Sequence, residues 1–212
     1  MTAWSYSSLN TFKQCPKKYY HLKVAKDVKD KGSTATVYGQ EVHTAAEEFI
    51  RDGKEVPKKF SFMDPILNSL NKIEGNKHCE LKLGVAKTDD GYRPTGFFDE
   101  DVWWRGIADL VIINGDTAYS KYADTKQLDA VAAALFIHFP QLKTIKSALA
   151  FVVSKDFIQK THSSTDVELY FKTFQPDLER LEGAQESGVW NAISGPLCGW
   201  CPVTSCEHYR KR

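Results

Sequence analysis

The spacing of apolar positions divides the chain into a helical start, a strand-rich middle and a mixed end. Leu9 and Phe12 follow Ser5-Tyr6-Ser7-Ser8 and predict a first helix with Ser7 as its N-cap; Tyr19 and Tyr20 extend the apolar series beyond Pro16. The charged, glycine-containing stretch Lys26 to Ser33 predicts a loop. Val42, Ala45, Ala46, Phe49 and Ile50 recur at the three/four spacing of one buried face, so a helix is expected over Thr36 to Arg51, ended by Asp52-Gly53. Pro65 to Ile73 predicts a shorter helix. From Cys79 to Val85 polar and apolar residues alternate, the period of a strand, and Asp89-Asp90-Gly91 is a turn signal. Trp103 to Ile113 predicts a second strand. Asn114-Gly115-Asp116 turns the chain into a return strand beginning over Thr117 to Ser120. An alanine-rich helix over Thr125 to Phe139, a buried strand over Ser147 to Ser154 and an amphipathic helix over Asp166 to Glu186 complete the pattern. Helices, antiparallel strands, helix, strand, helix is the order of an α/β fold with one mixed sheet, here expected as a single domain over 1–212.

Composition narrows the class. At 212 residues the chain can bury one good core, and its apolar and charged fractions are those of a globular protein. No run approaches the roughly 18 apolar residues of a membrane span, and the first residues lack the regions of a signal peptide. A cytoplasmic location without membrane attachment is the expectation. The formal net charge of +1 means that any nucleic-acid binding must come from local patches. Candidates are Arg210-Lys211-Arg212 and the series Lys13, Lys17, Lys18, Lys23 and Lys26. Aromatic candidates for base stacking are Tyr19, Tyr20, Trp103, Trp104 and Trp200. Core packing is weighted higher for Trp103 and Trp104, and Trp200 is expected to shield the cysteine site.

The five cysteines are unevenly placed. Cys198, Cys201 and Cys206 lie within nine residues near one end, Cys15 lies near the other, and Cys79 stands alone as a small apolar residue. In a reducing compartment such clustering suggests a metal site rather than disulfides. Spacing alone leaves zinc, an iron–sulfur cluster and uncoordinated thiols all open. A site joining Cys15 to the C-terminal three would close a loop of nearly the whole chain.

Cys15-Pro16-Lys17-Lys18-Tyr19-Tyr20, after Ser7-Ser8-Leu9, resembles the opening of RecB-like nucleases with an iron–sulfur staple. These belong to the PD-(D/E)xK class and include AddB-type nuclease domains, CRISPR-adaptation nucleases and phage exonucleases. The resemblance implies a restriction-endonuclease-like mixed sheet flanked by helices. It also implies that Cys15, Cys198, Cys201 and Cys206 hold a 4Fe–4S cluster joining the N- and C-terminal segments. Gly39-Gln40-Glu41-Val42-His43 is similar to the family's first motif and makes His43 a metal ligand. Arg105-Gly106-Ile107-Ala108-Asp109 resembles the second and makes Asp109 the central metal-bridging carboxylate, with Arg105 a weaker candidate for phosphate. Glu80 is carried as a supporting catalytic residue. Gln127, opening the helix after Asp124-Thr125-Lys126, matches the fourth motif, although Val131 stands where a tyrosine often does.

The third motif departs from the family. No Asp/Glu-x-Lys lies on the return strand Asp116-Thr117-Ala118-Tyr119-Ser120-Lys121. Either Asp124 and Lys126 serve as a displaced pair, with Asp124 a further metal ligand, or a strand-sized stretch carrying the motif is absent. The smooth resemblance on both sides of Tyr119 and Ser120 favours the second. The implied function is a Mg²⁺- or Mn²⁺-dependent DNA exonuclease of phage or bacterial recombination, repair or degradation. Its substrate would be single-stranded DNA or duplex ends, with a recombination or repair protein as a partner. A degenerate nuclease fold that binds DNA or a partner without cutting is the competing class, and a zinc-stapled protein unrelated to nucleases is a third.

Overall fold

The computed structural model describes residues 3–30, 32, 34–121, 125–151 and 156–210. They form two compact units, one of 34–172 and one built from the two ends of the chain, 1–33 and 173–212.

The larger unit is a six-stranded mixed sheet with helices. Its elements are α3 (Thr34–Asp52), α4 (Asp64–Asn71), β1 (Asn76–Thr88), β2 (Gly91–Thr95), β3 (Trp104–Asn114), β4 (Thr117–Lys121), α5 (Thr125–His138), β5 (Thr144–Phe151), β6 (Asp156–Ser163) and α6 (Val167–Lys172). The strand order is β2-β1-β3-β4-β5-β6. Neighbours are antiparallel except β4 and β5, which run parallel across the α5 crossover. That crossover is the α/β feature expected from the alternation of helix and strand. β1 and β3 carry near-continuous apolar runs: Leu83, Val85 and Ala86 on one, and Ala108, Leu110, Val111 and Ile112 on the other, are buried. α5 is buried from Leu128 to Phe136, which is why its sequence is alanine-rich rather than amphipathic: small side chains let it lie close to its neighbours. Ala45 of α3 packs with Phe60, Met63 and Leu67, flanked by Val42, Ala46, Phe49 and Ile50, the predicted apolar face.

Two strands were not expected. β2 is an edge strand that contains Pro94, a residue sheets tolerate only where a ladder hydrogen bond is not needed. β6 carries Lys160 and His162 inward toward a polar partner, so its pattern lacks apolar alternation.

The end-built unit holds α1 (Tyr6–Gln14), α2 (Pro16–Tyr19) and α7 (Gln175–Ser187). Ser5, not Ser7, caps α1: its side chain accepts from Ser8 N–H, while Ser8 Oγ is 2.9 Å from the Ser5 backbone, a capping box. The single helix expected over Asp166 to Glu186 is divided into α6 and α7, because Pro176 in the first turn of α7 cannot continue a helix from before it. Phe12, Tyr19 and Trp190 pack together, Tyr19 stacked on Trp190 at 5.9 Å, and Lys13 pairs with Asp177 at 2.9 Å. Lys13 and Lys17, expected in a basic patch, are thus both engaged by carboxylates, Lys17 by Glu207. Among the described residues no helix is long and apolar enough to cross a membrane.

Candidate functional site

Three elements of the sheet unit converge on one acidic group. His43 comes from the middle of α3, Glu80 from β1 and Asp109 from β3, and one ligand atom of each lies within 4.8 Å of the others. His43 Nδ1 stands 3.7 Å from Asp109 Oδ2. Register explains the meeting of the two carboxylates. Cys79 faces Leu110 and Leu81 faces Ala108, so Glu80 and Asp109 stand level on adjacent strands. Like charges placed opposite each other in a sheet are destabilising.

Glu80 is also held at φ 49°, the left-handed region that a non-glycine side chain rarely adopts. Strain of this kind persists only where the surroundings impose it, and it gathers at functional sites. Burial pushes the Glu80 carboxyl above its usual range, and the charges of Asp109 and Glu47 push it the same way. Glu47 lies one turn beyond His43 on α3 and accepts from Arg51. A pocket of this composition offers one imidazole and two carboxylates to a hard divalent cation, and oxygen-rich donors suit Mg²⁺ or Mn²⁺.

Lys126 is exposed and Gln127 half-buried in the first turn of α5, while Asp124 lies outside the described residues. The β3–β4 register runs to Val111 opposite Ser120, and the position level with Asp109 lies outside the described residues. Arg105 lies two alternations from Asp109 on the same face of β3. Trp103 and Trp104 are buried, as weighted, and Tyr19 is buried as well. Lys211 and Arg212 lie outside the described residues. What sequence reading passed over is Glu80 as an equal member of the acidic group. The available signal was its place opposite Asp109, which needs the register to be known.

In the end-built unit, Cys15, Cys198, Cys201 and Cys206 all line one cavity of about 210 Å³, together with Lys18, Ile193, Leu197 and others. Cys15 caps α2, and its sulfur accepts from the N–H of Lys18 and of Ile193, each at 3.5 Å. The Cys198 sulfur accepts from Gly195 N–H at 3.3 Å. Among the described residues no three of these sulfurs lie within 4.8 Å of one another. Trp200 is 60% exposed and does not line the cavity; Ile193 and Leu197 do. The expected shielding by Trp200 is therefore corrected. In the one-turn helix Pro196–Trp200 it is Leu197 and Cys198, not Trp200, that line the cavity. Cys79 is half-buried on β1, and burial raises its thiol.

The model of the PD-(D/E)XK nuclease superfamily matches residues 3–129, a span that holds His43, Glu80, Asp109, Lys126 and Gln127. The chain belongs to this superfamily. Its nucleases use divalent metals, and the acidic group on α3, β1 and β3 has the donors for one. Among solved structures, the chain resembles a "Putative exonuclease" from Eubacterium rectale, with 14% identity, a TM-score of 0.56, and coverage of 99% of this chain and 89% of that one. At that identity the likeness shows the fold. SSO0001 aligns over 100% of this chain and 89% of its own at 10% identity and a TM-score of 0.47. No curated protein matches the chain.

Proposed function

We propose that the protein is a divalent-metal-dependent DNA exonuclease of phage or bacterial recombination, repair or DNA degradation. The observation that carries this is the convergence of His43, Glu80 and Asp109 at a strained, like-charged point of the sheet of a superfamily nuclease. These three residues would hold Mg²⁺ or Mn²⁺, which when bound supplies an activated water and neutralises charge on the scissile phosphate. Asp109 would be the central carboxylate donor. Glu80, level with it, fixes the second donor. His43 fixes the third from the opposing helix. Asp124, a further metal donor in this reading, and Lys126 supply the displaced third motif, Lys126 acting near the attacked phosphate, and Gln127 orders the start of α5. The test is degradation of end-labelled DNA with Mg²⁺ or Mn²⁺. Asp109→Ala should lower the rate about a thousandfold, since several kcal/mol of charge stabilisation depends on that carboxylate. Activity retained in that variant would sink the assignment.

A second reading rests on a separate observation, that β4 (Thr117–Lys121) carries no Asp/Glu-x-Lys. In it the fold binds DNA or a partner and does not cut. Tight DNA binding with no cleavage under either metal supports it, and turnover that depends on Lys126 excludes it.

The four cysteines are read as ligands of a 4Fe–4S cluster that fastens the two ends of the chain, the RecB-like feature. What supports this is their common cavity, together with the resemblance of Cys15-Pro16-Lys17-Lys18-Tyr19-Tyr20 to the RecB-like opening. Its role would be structural. Iron and acid-labile sulfide in anaerobically purified protein are the expected result; stoichiometric zinc without iron would overturn it. The nuclease is expected in the cytoplasm, as one functional domain over 1–212.

A further inference from the structure

β2 and β3 are joined by a tight turn, Gly96-Phe97-Phe98-Asp99, closed by Asp99 N–H donating to Gly96 O at 3.3 Å. The Asp99 carboxylate accepts from Gly96 N–H at 2.7 Å and locks the turn from the other side. Central turn positions are usually filled by glycine, asparagine or proline. Here they hold two phenylalanines. Phe98 is 75% exposed, and the two rings stand edge to face at 4.9 Å. Single exposed apolar residues need no explanation. This pair differs, because each ring carries its own cation: the Arg105 guanidinium lies 5.5 Å from the Phe97 centroid and Lys82 Nζ lies 5.9 Å from that of Phe98.

The position of the turn is set by Gly84. That residue pairs with Thr95 on one side and Arg105 on the other. A Cβ there would come within 2.6 Å of Gly96 O, so only glycine lets the turn fold over this face of β1. Arg105, Ile107 and Asp109 alternate along β3, and Lys82 faces Ile107 across the ladder. All therefore share the face that bears the acidic group. Ile107 is itself 37% exposed. Phe98, Phe97, Arg105, Lys82 and Ile107 form an aromatic and basic strip on this face, and Arg105 stands roughly 13 Å along the strand from Asp109.

We infer that the Phe97–Phe98 turn is a base-stacking platform, and that the site takes DNA whose bases are unpaired: a single strand or a frayed end. Phe98 stacks on a base, and Arg105 and Lys82 meet the phosphates on either side. Stacked bases in a duplex have no free face for Phe98 to cover, so the platform selects single-stranded DNA. The inference rests on the proposed reading of this face as the one that meets DNA, and it does not need the chain to cut.

The test is fluorescence anisotropy of a labelled DNA oligonucleotide with the full chain in chelator, where no cleavage occurs. Phe98→Ala should weaken binding of a single strand by about 5- to 100-fold, leave a blunt duplex nearly unchanged, and have little effect on a strand of the same length made abasic. Phe98→Trp should restore affinity. Arg105→Gln and Lys82→Gln should weaken single strand and duplex together and each lower the salt slope by about one. Phe98 is 75% exposed, and unchanged melting of Phe98→Ala will show that the fold is intact. Single-strand affinity of Phe98→Ala within about twofold of the parent, or equal losses on normal and abasic strands, overturns the platform. Phe98-dependent binding in a protein that never cuts would leave the platform standing and defeat the nuclease reading; metal-dependent cutting that ignores Phe98 would do the reverse.

Discussion

Two histidine–carboxylate pairs occupy the same sheet unit and differ in how their charge is balanced. His162 and Asp129 are sealed in the core, at 1% and 6% exposure. His162 Nε2 is 2.9 Å from Asp129 Oδ1, and Lys160 donates to the same oxygen. Ser147 Oγ lies 3.1 Å from His162 Nδ1 and donates to the Lys160 carbonyl. Serine, histidine and aspartate stand in the order of an acyl-transfer triad, but Ser147 is 2% exposed and no substrate carbonyl can reach it. Burial alone would raise the Asp129 carboxyl; the hydrogen bonds from His162 and Lys160 outweigh it and hold the group below its usual range. The pair His43 and Asp109 is open instead, with side chains 55% and 37% exposed, and Glu80 and Glu47 add negative charge beside it. A polar group balanced by its own neighbours holds a fold together. Glu80, raised by burial and by the charges of Asp109 and Glu47 at a strained backbone position, is the carboxylate whose charge a bound cation would relieve.

The largest expected effect separates the two by stability. Asp129→Ala leaves the buried His162 facing an empty site in the core and should cost about 3 kcal/mol in the denaturant midpoint, as breaking one side of a buried pair does. Asp109→Asn and Glu80→Gln remove repulsion, and in chelator should leave the midpoint unchanged or higher. Equal losses at Asp109 and Asp129 would break the comparison, because they would make the open pair structural too.

A smaller effect separates the two by metal. Saturating Mn²⁺ at about a hundred times its dissociation constant should stabilise the parent protein by roughly 2.7 kcal/mol, seen as a rise in melting temperature. Asp109→Asn and Glu80→Gln should lose most of that rise. Lys160→Met, at the sealed pair, should start lower and keep it. A full rise in Asp109→Asn would place the ion elsewhere.

The same contrast explains what the sequence made legible. His43 and Asp109 stand in recognisable local settings, one on an apolar-periodic helix and one inside an apolar strand where an aspartate is out of place. Glu80 had no such setting: what marks it is a register and a φ angle, neither of which one strand's pattern contains. Helix α5 and strands β1 and β3 could be placed because each buries a run of apolar residues, and α3 because its periodic apolar face packs against Phe60, Met63 and Leu67. β6 could not, since its inward residues are the lysine and histidine that meet Asp129. The Phe97–Phe98 turn has no local signal either, since the exposure of its rings follows only from the fold. Local periodicity reports burial, and sites that depend on pairing across strands escape it.

The smallest effect is in acid, and its sign differs between the two regions. Asp129 is held below the ordinary carboxylate range. Its contribution is therefore complete above about pH 4, where an unfolded aspartate is already charged, and is lost as pH falls through its lower native value. Glu80 is held above that range, so the fold prefers it protonated. Its contribution is complete at low pH and is lost as pH rises through its raised native value. In chelator, Asp129→Asn should flatten the fall of stability below about pH 4, while Glu80→Gln should remove a decline on the side above it. Added Mn²⁺ should offset only the Glu80 decline, because only there does a second cation answer the charge. If Asp129→Asn melts with the acid slope of the parent, then His162 and Lys160 do not hold that carboxylate as their geometry implies, and the sealed pair loses its claim to be the balanced one.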